Sequence, residues 1–309
     1  MRIAIPTLDF PPAVGGVQQY LYEVARGLGL QHEVTVVTPI GGALPAGLPF
    51  RRQVLPSAGP FAFLRALQSL RPDRVLVGHA HPRILLPAAL AAPGRYATMA
   101  FGNDYLAAQR RWHRPLYKRL LAASRPLVTI SVANASRLRR LGLPQAALVR
   151  PGTDPARFAP PPDPPAGPPT LLTVGRLVPR KGIDTVLRAL PTLLPEFPGL
   201  RYRVAGGGPD RPRLEALSAG LGLAAAVRFL GPVPDGELPS VYQQAHVFVM
   251  PAREEVQAAS IEGFGIVYLE ASASALPVVV GRSGGAVEAI IDGETGLLVP
   301  PSRPDALAD

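Results

Sequence analysis

The sequence predicts an α/β protein made of two doubly wound parallel-sheet domains. Its 309 residues exceed what one ordinary hydrophobic core organises, so two domains are expected. Short apolar runs alternate with segments of helical periodicity, which is typical of a parallel sheet with helices on both faces. The segment RFAPPPDPPAGPPT, residues 157–170, contains seven prolines in fourteen positions and can form neither a helix nor a sheet interior. We interpret residues 161–169 as an interdomain linker.

The first predicted domain, residues 1–160, opens with the strand RIAIPT and the helix GGVQQYLYEVARGLGL. In that helix Val17, Leu21, Val24 and Leu28 recur at helical spacing. Four further strands are predicted, namely HEVTVVTP, DRVLVGHA, RYATMAFG and LVTISVA. Helical segments lie between most of them.

The second predicted domain, residues 170–309, repeats this alternation. Its predicted strands are TLLTVGRL, RYRVAGGGP, AVRFLGPV, HVFVMPA, LPVVVGR and TGLLVP. Its predicted helices are GIDTVLRALPTLL, DRPRLEALSAGLGL, DGELPSVYQQA, GIVYLEASASA and AVEAIIDG. The chain stops at SRPDALAD, where another helix begins, so we expect this domain to be truncated at its C-terminal end. In such sheets ligands bind at the carboxyl ends of the strands. The expected active site is therefore a cleft between the two domains.

Composition excludes several classes of protein. There is no cysteine, hence no disulfide framework or cysteine zinc site. The start MRIAIPTLDF lacks the apolar stretch of a signal peptide, and no apolar run is long enough to span a bilayer. We therefore expect a cytoplasmic protein. Residues 1–165 hold 20 Lys and Arg against 7 Asp and Glu, whereas residues 166–309 hold 12 against 15. The basic first half suits anionic lipids, nucleic acid or phosphorylated substrates.

Two glycine turns follow predicted strands. Gly15 and Gly16 come directly before a helix, where backbone N–H groups can meet an anion, although an ordinary strand–helix turn fits equally well. The turn VAGGGPD lacks the G-x-G-x-x-G spacing and is mainly a tight turn, in which Gly206 could line a ligand.

Arg176 and Lys181 form the first candidate site. Arg176 ends a predicted strand, and Lys181 lies just before a helix that opens at Gly182. Two cations beside a helix N-terminus suit a diphosphate. The alternative is a pair of solvated surface cations.

Glu262 and Glu270, in IEGFGIVYLEASASALPVVV, form the second candidate site. Gly263 and Gly265 precede a helix whose first N–H groups suit a phosphate. Glu270 lies among apolar residues and needs a partner, which ribose hydroxyls would supply, while Glu262 could accept hydrogen bonds from a sugar. The alternative is a buried, salt-bridged Glu270 and a solvated Glu262.

These motifs occur in a recognisable order: a Gly-Gly-Val near the N-terminus, then GRLVPRKG, AGGGP, FLGPV, EGFGIVYLE and GGAVEAIIDGETGLLV. The chain resembles the family 4 retaining glycosyltransferases of the GT-B fold, whose E-x7-E signature matches Glu262 and Glu270. The stretch PAREEVQAASIEGFGIVYLEASA is most similar to the bacterial branch that contains the phosphatidylinositol mannosyltransferases, which use GDP-mannose.

The resemblance implies two Rossmann-like domains facing a cleft, and roles at matching positions. Arg176 and Lys181 would hold the donor diphosphate, Glu262 the hexose and Glu270 the ribose. Further donor contacts would come from the backbone and from loop residues: Gly15, Gly16, Val233, Phe264, Gly265, Ile266 and Val267. The implied reaction moves a hexose, with mannose or glucose favoured, from a GDP- or UDP-sugar to a lipid-linked or glycan acceptor in cell-envelope glycoconjugate synthesis. No cofactor and no metal are expected, because the cations can stabilise the leaving diphosphate.

One position departs from the family pattern. Phe101 replaces a histidine that contacts the sugar in many relatives. Asn103 or Asp104, in the turn that follows, would take over this contact, unless the turn is merely structural. His79 and His81 end another strand and fit a structural or cleft-lining role better than a catalytic one.

Residues 106–124 form a basic amphipathic stretch that fits an anionic membrane surface or a solvated helix face. It contains Arg110, Arg111, Trp112, His113, Arg114, Leu116, Lys118, Arg119 and Leu120. A peripheral location on the inner face of the plasma membrane would follow from the first interpretation.

Three other functions compete with the transferase. A catalytically impaired relative could act as a membrane-surface binding protein. An NAD-dependent dehydrogenase would need a clean G-x-G-x-x-G, which is absent from the sequence. Nucleic-acid binding is disfavoured, because no aromatic–basic interleaving of a known module is present.

Overall fold

The computed structural model describes residues 1–108, 114–255 and 260–309. The chain divides into two compact units, Met1–Arg150 and Pro151–Asp309. The sequence predicts a first domain that extends to residue 160, whereas here residues 151–160 and the proline-rich segment belong to the second unit. Phe158 shows why, since it is buried in the core of that unit.

The first unit is built on a parallel sheet in the order β3-β2-β1-β4-β5-β6-β7. Its strands are β1 (Arg2–Pro6), β2 (Glu33–Thr38), β3 (Phe50–Val54), β4 (Arg74–Val77), β5 (Tyr96–Ala100), β6 (Leu127–Thr129) and β7 (Ala147–Leu148). Its helices are α1 (Gly16–Gly29), α2 (Pro60–Leu70), α3 (Pro82–Ala91), α4 (Asn103–Ala108), α5 (Arg114–Ala122) and α6 (Val132–Arg140). Strand β1 pairs with both β2 and β4, so Ile3 lies opposite Val34 on one side and Arg74 on the other. The strand order reverses there, which makes the carboxyl ends of β1 and β4 the switch point of the sheet.

The second unit repeats the arrangement with a parallel sheet in the order β10-β9-β8-β11-β12-β13. Its strands are β8 (Thr170–Val174), β9 (Arg201–Ala205), β10 (Val227–Gly231), β11 (Val247–Met250), β12 (Val278–Gly281) and β13 (Leu297–Val299). Its helices are α7 (Ile183–Leu193), α8 (Arg211–Gly220), α9 (Leu238–Gln243), α10 (Ile266–Ala273) and α11 (Pro304–Ala308). Single 3-10 turns occur at Pro179–Lys181, Asp235–Glu237 and Ala286–Glu288.

Each unit has its own apolar core, and the predicted α/β class is confirmed. In the second unit one cluster contains Phe158, Tyr242 and Tyr268, while another contains Leu187 and Tyr202. Tyr202 and Val204 of β9 belong to the second of these clusters and Ala205 to the first, because successive side chains of a strand point to opposite faces.

None of the helices within the described ranges is long and apolar enough to cross a membrane. Part of the predicted amphipathic stretch, namely Arg110, Arg111, Trp112 and His113, lies outside the described residues. Of the remainder, Leu116 on α5 is half-exposed, while Leu120 packs against the core of the first unit.

Candidate functional site

The loop after β8 carries the two cations that the sequence predicts. Arg176 is exposed and makes no ion pair with any described residue. The chain then forms the 3-10 turn Pro179–Lys181 and passes through Gly182, whose φ is 70°, into α7. A Cβ atom at Gly182 would clash with the carbonyl oxygen of Pro251, so only glycine lets this loop approach the segment after β11 so closely.

Lys181 and Glu262 form a buried ion pair. The Nζ atom of Lys181 lies 2.8 Å from Oε2 of Glu262, and each side chain is only 9% exposed. Nε of Arg180 is 3.6 Å from the same oxygen. Burial raises the pKa of the Glu262 carboxyl, but the charges of Lys181 and Arg180 outweigh it and hold that pKa below its ordinary value. Glu262 is therefore an ionised group inside the protein, and neither it nor Lys181 is a solvated surface charge.

The backbone around Glu262 is also fixed. Its carbonyl oxygen accepts a hydrogen bond from the N–H of Gly285, at 3.0 Å, in the loop after β12. Ile261 and Phe264 on either side are buried. The segment that leads into α10 is thus anchored from two directions.

Helix α10 begins with an uncapped N-terminus. Gly265 precedes it with a φ of 91°, no side chain caps the helix, and its first turn contains no acidic residue. Because the first N–H groups of a helix have no partner inside it, the backbone of Ile266 and Val267 offers donors to an anion.

Glu270 is half-buried on α10 and has a neutral partner. The hydroxyl of Tyr242 donates a hydrogen bond to Oε2 of Glu270 at 2.7 Å. Burial raises the pKa of Glu270, and the hydrogen bond from Tyr242 and the charge of Arg157 oppose this only in part. Sequence reasoning missed Tyr242, and it considered a salt bridge where the structure has a tyrosine hydroxyl.

Gly206 has a structural reason to be glycine. Its φ is 137°, and a Cβ atom there would clash with the carbonyl oxygen of Gly175. The N–H of Leu177 donates to the carbonyl of Gly207 at 2.9 Å, which ties the Arg176 loop to this turn. Val233, in the loop after β10, is half-buried and packs against the core cluster that contains Tyr242.

In the first unit, Gly15 and Gly16 are exposed at the start of α1. No side chain caps this helix and its first turn contains no acidic residue, so its N-terminus also suits an anion.

The Asp104 carboxylate is occupied by backbone donors. It accepts N–H hydrogen bonds from Ala80 at 3.0 Å, Phe101 at 3.1 Å, Gly102 at 2.9 Å and Tyr105 at 2.9 Å. This arrangement ties the turn after β5 to the turn after β4, and it favours the structural interpretation of the turn. Asn103 lies beside it as the exposed first residue of α4.

His79 stands next to Phe101, the position where the family pattern has histidine. The two rings are 5.7 Å apart, and Phe101 also packs edge-on against Tyr20. The buried imidazole of His79 lies 3.0 Å from Oγ1 of Thr7 and 3.1 Å from Oδ2 of Asp9. Sequence reasoning ranked His79 with His81, but the structure separates them.

His81 is a helix cap. Its Nδ1 accepts a hydrogen bond from the N–H of Arg83 at 3.1 Å, at the start of α3. No group of three or more potential metal ligands is brought together by the residues that the structure describes.

Comparison with known proteins covers both units. A family model described as "Glycosyltransferase Family 4" matches residues 14–157, and one described as "Glycosyl transferases group 1" matches residues 157–309. The GDP-mannose-dependent alpha-(1-6)-phosphatidylinositol monomannoside mannosyltransferase of Mycolicibacterium smegmatis is 35% identical over 97% of this chain and 86% of its own length. Its counterpart in Mycobacterium tuberculosis H37Rv is 34% identical over 100% of this chain and 87% of its own length.

Solved structures show the same fold at lower sequence identity. The sucrose-phosphate synthase of Thermosynechococcus elongatus superposes with a TM-score of 0.84 at 24% identity, covering 99% of this chain and 88% of that protein. Anabaena HepE, solved in complex with UDP and glucose, superposes with a TM-score of 0.81 at 19% identity. The superposition covers 100% of this chain and 88% of the HepE chain.

Proposed function

This chain belongs to the family 4 glycosyltransferases, and on that premise we propose that it transfers mannose from GDP-mannose to a phosphatidylinositol mannoside acceptor with retention of configuration. The observation that carries the proposal is the arrangement in the second unit. There the buried Lys181–Glu262 pair, the uncapped start of α10 and the Glu270 carboxylate follow neighbouring strands of one sheet. The mycobacterial relatives that match nearly the whole chain carry GDP-mannose and the phosphatidylinositol acceptor in their names.

Each group in this arrangement suits one part of a nucleotide sugar. The carboxylate of Glu270 would accept hydrogen bonds from the ribose hydroxyls, and the N-terminus of α10 would take the diphosphate. Arg176 and Lys181 would add positive charge where the leaving phosphate becomes more negative. Glu262, held in place by Lys181, would accept from the hexose hydroxyls.

The proposed reaction needs no base from the protein. The bond between C1 of the hexose and the diphosphate oxygen breaks, and an acceptor hydroxyl forms the new C1–O bond on the same face. The acceptor proton goes to the departing phosphate oxygen. The cations lower the barrier by stabilising the charge that develops on this phosphate, so we propose that the transfer proceeds without a metal ion.

The acceptor is proposed to reach the protein from an anionic membrane at the cytoplasmic face. The first unit carries the excess of basic residues, and it exposes Leu86 and Leu90 on α3 and Leu116 on α5. Apolar side chains beside cationic ones are the usual means of shallow contact with anionic lipid.

A transfer assay tests the whole proposal. The purified chain would be incubated with radiolabelled GDP-mannose or UDP-glucose and vesicles that contain a phosphatidylinositol mannoside, with and without EDTA. We expect mannosylated lipid from GDP-mannose only, an α-linkage by NMR, an unchanged rate in EDTA, and no product with Glu270→Ala. Vesicle binding without transfer or donor hydrolysis would instead support a catalytically impaired membrane-binding relative.

A further inference from the structure

We propose that Tyr242 is a positioning residue for nucleotide recognition, whose hydroxyl orients the Glu270 carboxylate so that one oxygen is held and the other faces the ribose. The inference rests on the proposed function, in which Glu270 binds the ribose of the donor. Tyr242 would act through Glu270 without touching the substrate, and would thereby set the affinity for the ribose hydroxyls.

The tyrosine ring is held rigidly in the core of the second unit. Tyr242 is 0% exposed. Its ring packs edge-on against Phe158 with centroids 5.6 Å apart, and in a tilted arrangement against Phe248 with centroids 5.9 Å apart. The backbone around Phe158 is itself fixed, because its carbonyl accepts a hydrogen bond from the hydroxyl of Ser274 at 3.2 Å. A ring fixed in this way places its hydroxyl at one point.

That hydroxyl lies 2.7 Å from Oε2 of Glu270. Within the described part of the chain, Tyr242 is the residue whose side chain donates a hydrogen bond to this carboxylate. An ionised carboxylate has two acceptor oxygens, so a donor fixed on one of them leaves the other for the ligand and restricts rotation of the group. Restriction before binding lowers the entropy lost on binding.

The hydroxyl also supports the charge of the carboxylate. Burial of Glu270 favours its neutral form, and the hydrogen bond from Tyr242 offsets part of that cost. The charged groups that act on Glu270 are Arg157 and Lys181, which favour ionisation, and Asp235, which opposes it. Arg157 is paired with Asp235 at 2.8 Å and Lys181 with Glu262 at 2.8 Å, so neither cation is dedicated to Glu270.

Removal of the hydroxyl should therefore change how binding depends on pH. In Tyr242→Phe the Glu270 carboxylate loses its donor, and its pKa rises further. A protonated carboxyl offers the ribose one acceptor fewer and no charge. As pH falls, the variant should lose affinity for GDP at a higher pH than the natural protein does.

The experiment is calorimetric titration of the full chain with GDP and with 2′-deoxy-GDP between pH 5.5 and 8.5. The proteins compared are the natural chain, Tyr242→Phe, Glu270→Gln and the double variant. Tyr202→Phe is the matched control, since Tyr202 is equally buried in the same unit and its hydroxyl meets Thr173 instead. We expect Tyr242→Phe to weaken GDP binding about tenfold at pH 7, as the loss of one charge-assisted hydrogen bond would. We also expect it to reduce the preference for GDP over 2′-deoxy-GDP and to shift the pH profile upward.

The double variant should bind GDP no more than about twofold worse than Glu270→Gln alone, because both changes act through one carboxylate. The inference would be overturned if the losses of GDP affinity in the two single variants add up in the double variant. It would also be overturned if Tyr242→Phe weakens binding of GDP and of 2′-deoxy-GDP equally at every pH. If Glu270→Gln leaves binding and nucleotide preference unchanged, the ribose assignment of the proposed function fails instead. If Tyr242→Phe folds poorly, Phe158→Leu replaces it in the test. This change loosens the packing around the Tyr242 ring and keeps the hydroxyl, and it should shift the pH profile of GDP binding in the same direction. A profile that stays in place in a folded Phe158→Leu protein counts against the inference.

Discussion

The ammonium of Lys181 lies 2.8 Å from the carboxylate of Glu262, and neither group is exposed by more than a tenth. The charge of each group offsets most of the free-energy cost of burying the other, so the two act as one electrostatic unit. Nε of Arg180 lies 3.6 Å from the same carboxylate oxygen. A donor diphosphate that approaches Lys181 would join an existing ion pair, and Glu262 would keep the ammonium in position while it does so.

Breaking this pair should be costly. Lys181→Met leaves the buried Glu262 carboxylate with the Arg180 guanidinium at 3.6 Å as its remaining cation, and we expect a loss of about 3–5 kcal/mol in the free energy of unfolding. The double variant Lys181→Met with Glu262→Gln should recover part of that loss. Urea denaturation followed by circular dichroism measures both. Arg282→Gln, which breaks the exposed pair with Asp292, is the control and should cost about 1 kcal/mol or less. Equal effects at the two pairs would contradict the buried-pair interpretation.

The same pair predicts a dependence on pH. The folded protein holds the pKa of Glu262 below its ordinary value of 4.5. The carboxylate therefore contributes stability above that value, and the contribution is lost as pH falls through the lower pKa of the folded state. Glu262→Gln should be less stable than the natural chain at pH 7, and the difference should shrink below about pH 4.5. A difference that is constant with pH would show that the charge of Glu262 is not the cause.

Glu270 should behave in the opposite way. Its pKa is raised by burial, so the folded state disfavours the charged form that is present at neutral pH. Glu270→Gln should accordingly be more stable than the natural chain at pH 7 to 8, and the gain should vanish at acid pH, where both side chains are neutral. Thermal unfolding across this pH range is the measurement. The same variant should lose nucleotide affinity, which is the usual trade of stability for function at a binding site.

The contact of Gly206 with Gly175 predicts a local failure in Gly206→Ala. The added methyl group would push the Arg176 loop away. The backbone of the new alanine would also have to keep a positive φ, which residues with a side chain rarely adopt. We expect a loss of about 2 kcal/mol or more in stability and a loss of GDP affinity. Gly220→Ala, where the added group meets open space at the end of α8, should be neutral or slightly stabilising. If both variants bind GDP normally, the turn does not set the position of Arg176.

Asp104 provides a test in the first unit. In Asp104→Asn an amide N–H group would face backbone N–H donors, so we expect a loss of about 1–3 kcal/mol in stability. Because the carboxylate is used by the backbone, transfer activity per folded molecule should change by less than about threefold, whereas a sugar-contacting residue would lose about 10²-fold or more. Activity at a temperature well below the unfolding midpoint separates the two roles.

Much of the fold could be predicted because both sheets are parallel and their strands are apolar. Strand β3, FRRQV, was missed, since it lies at the sheet edge and its exposed positions carry arginine and glutamine. The loops that bear Arg176 and Glu262 could be placed because they follow strands. Neither the Lys181–Glu262 pair nor the Tyr242–Glu270 hydrogen bond could be predicted from one sequence. Each joins side chains from distant segments, and their meeting depends on how closely the glycine-bearing loops pack.

That close packing restricts how the site can diversify. Gly182 lies against the backbone after β11, and Gly206 against the loop after β8, with no room for even a methyl group. A loop at this edge cannot gain or lose a residue without displacing its neighbour. Changes of donor preference during evolution, or in a directed-evolution library, should therefore arise from side-chain exchange at positions such as Val233, Ile266 and Val267, with loop lengths held constant.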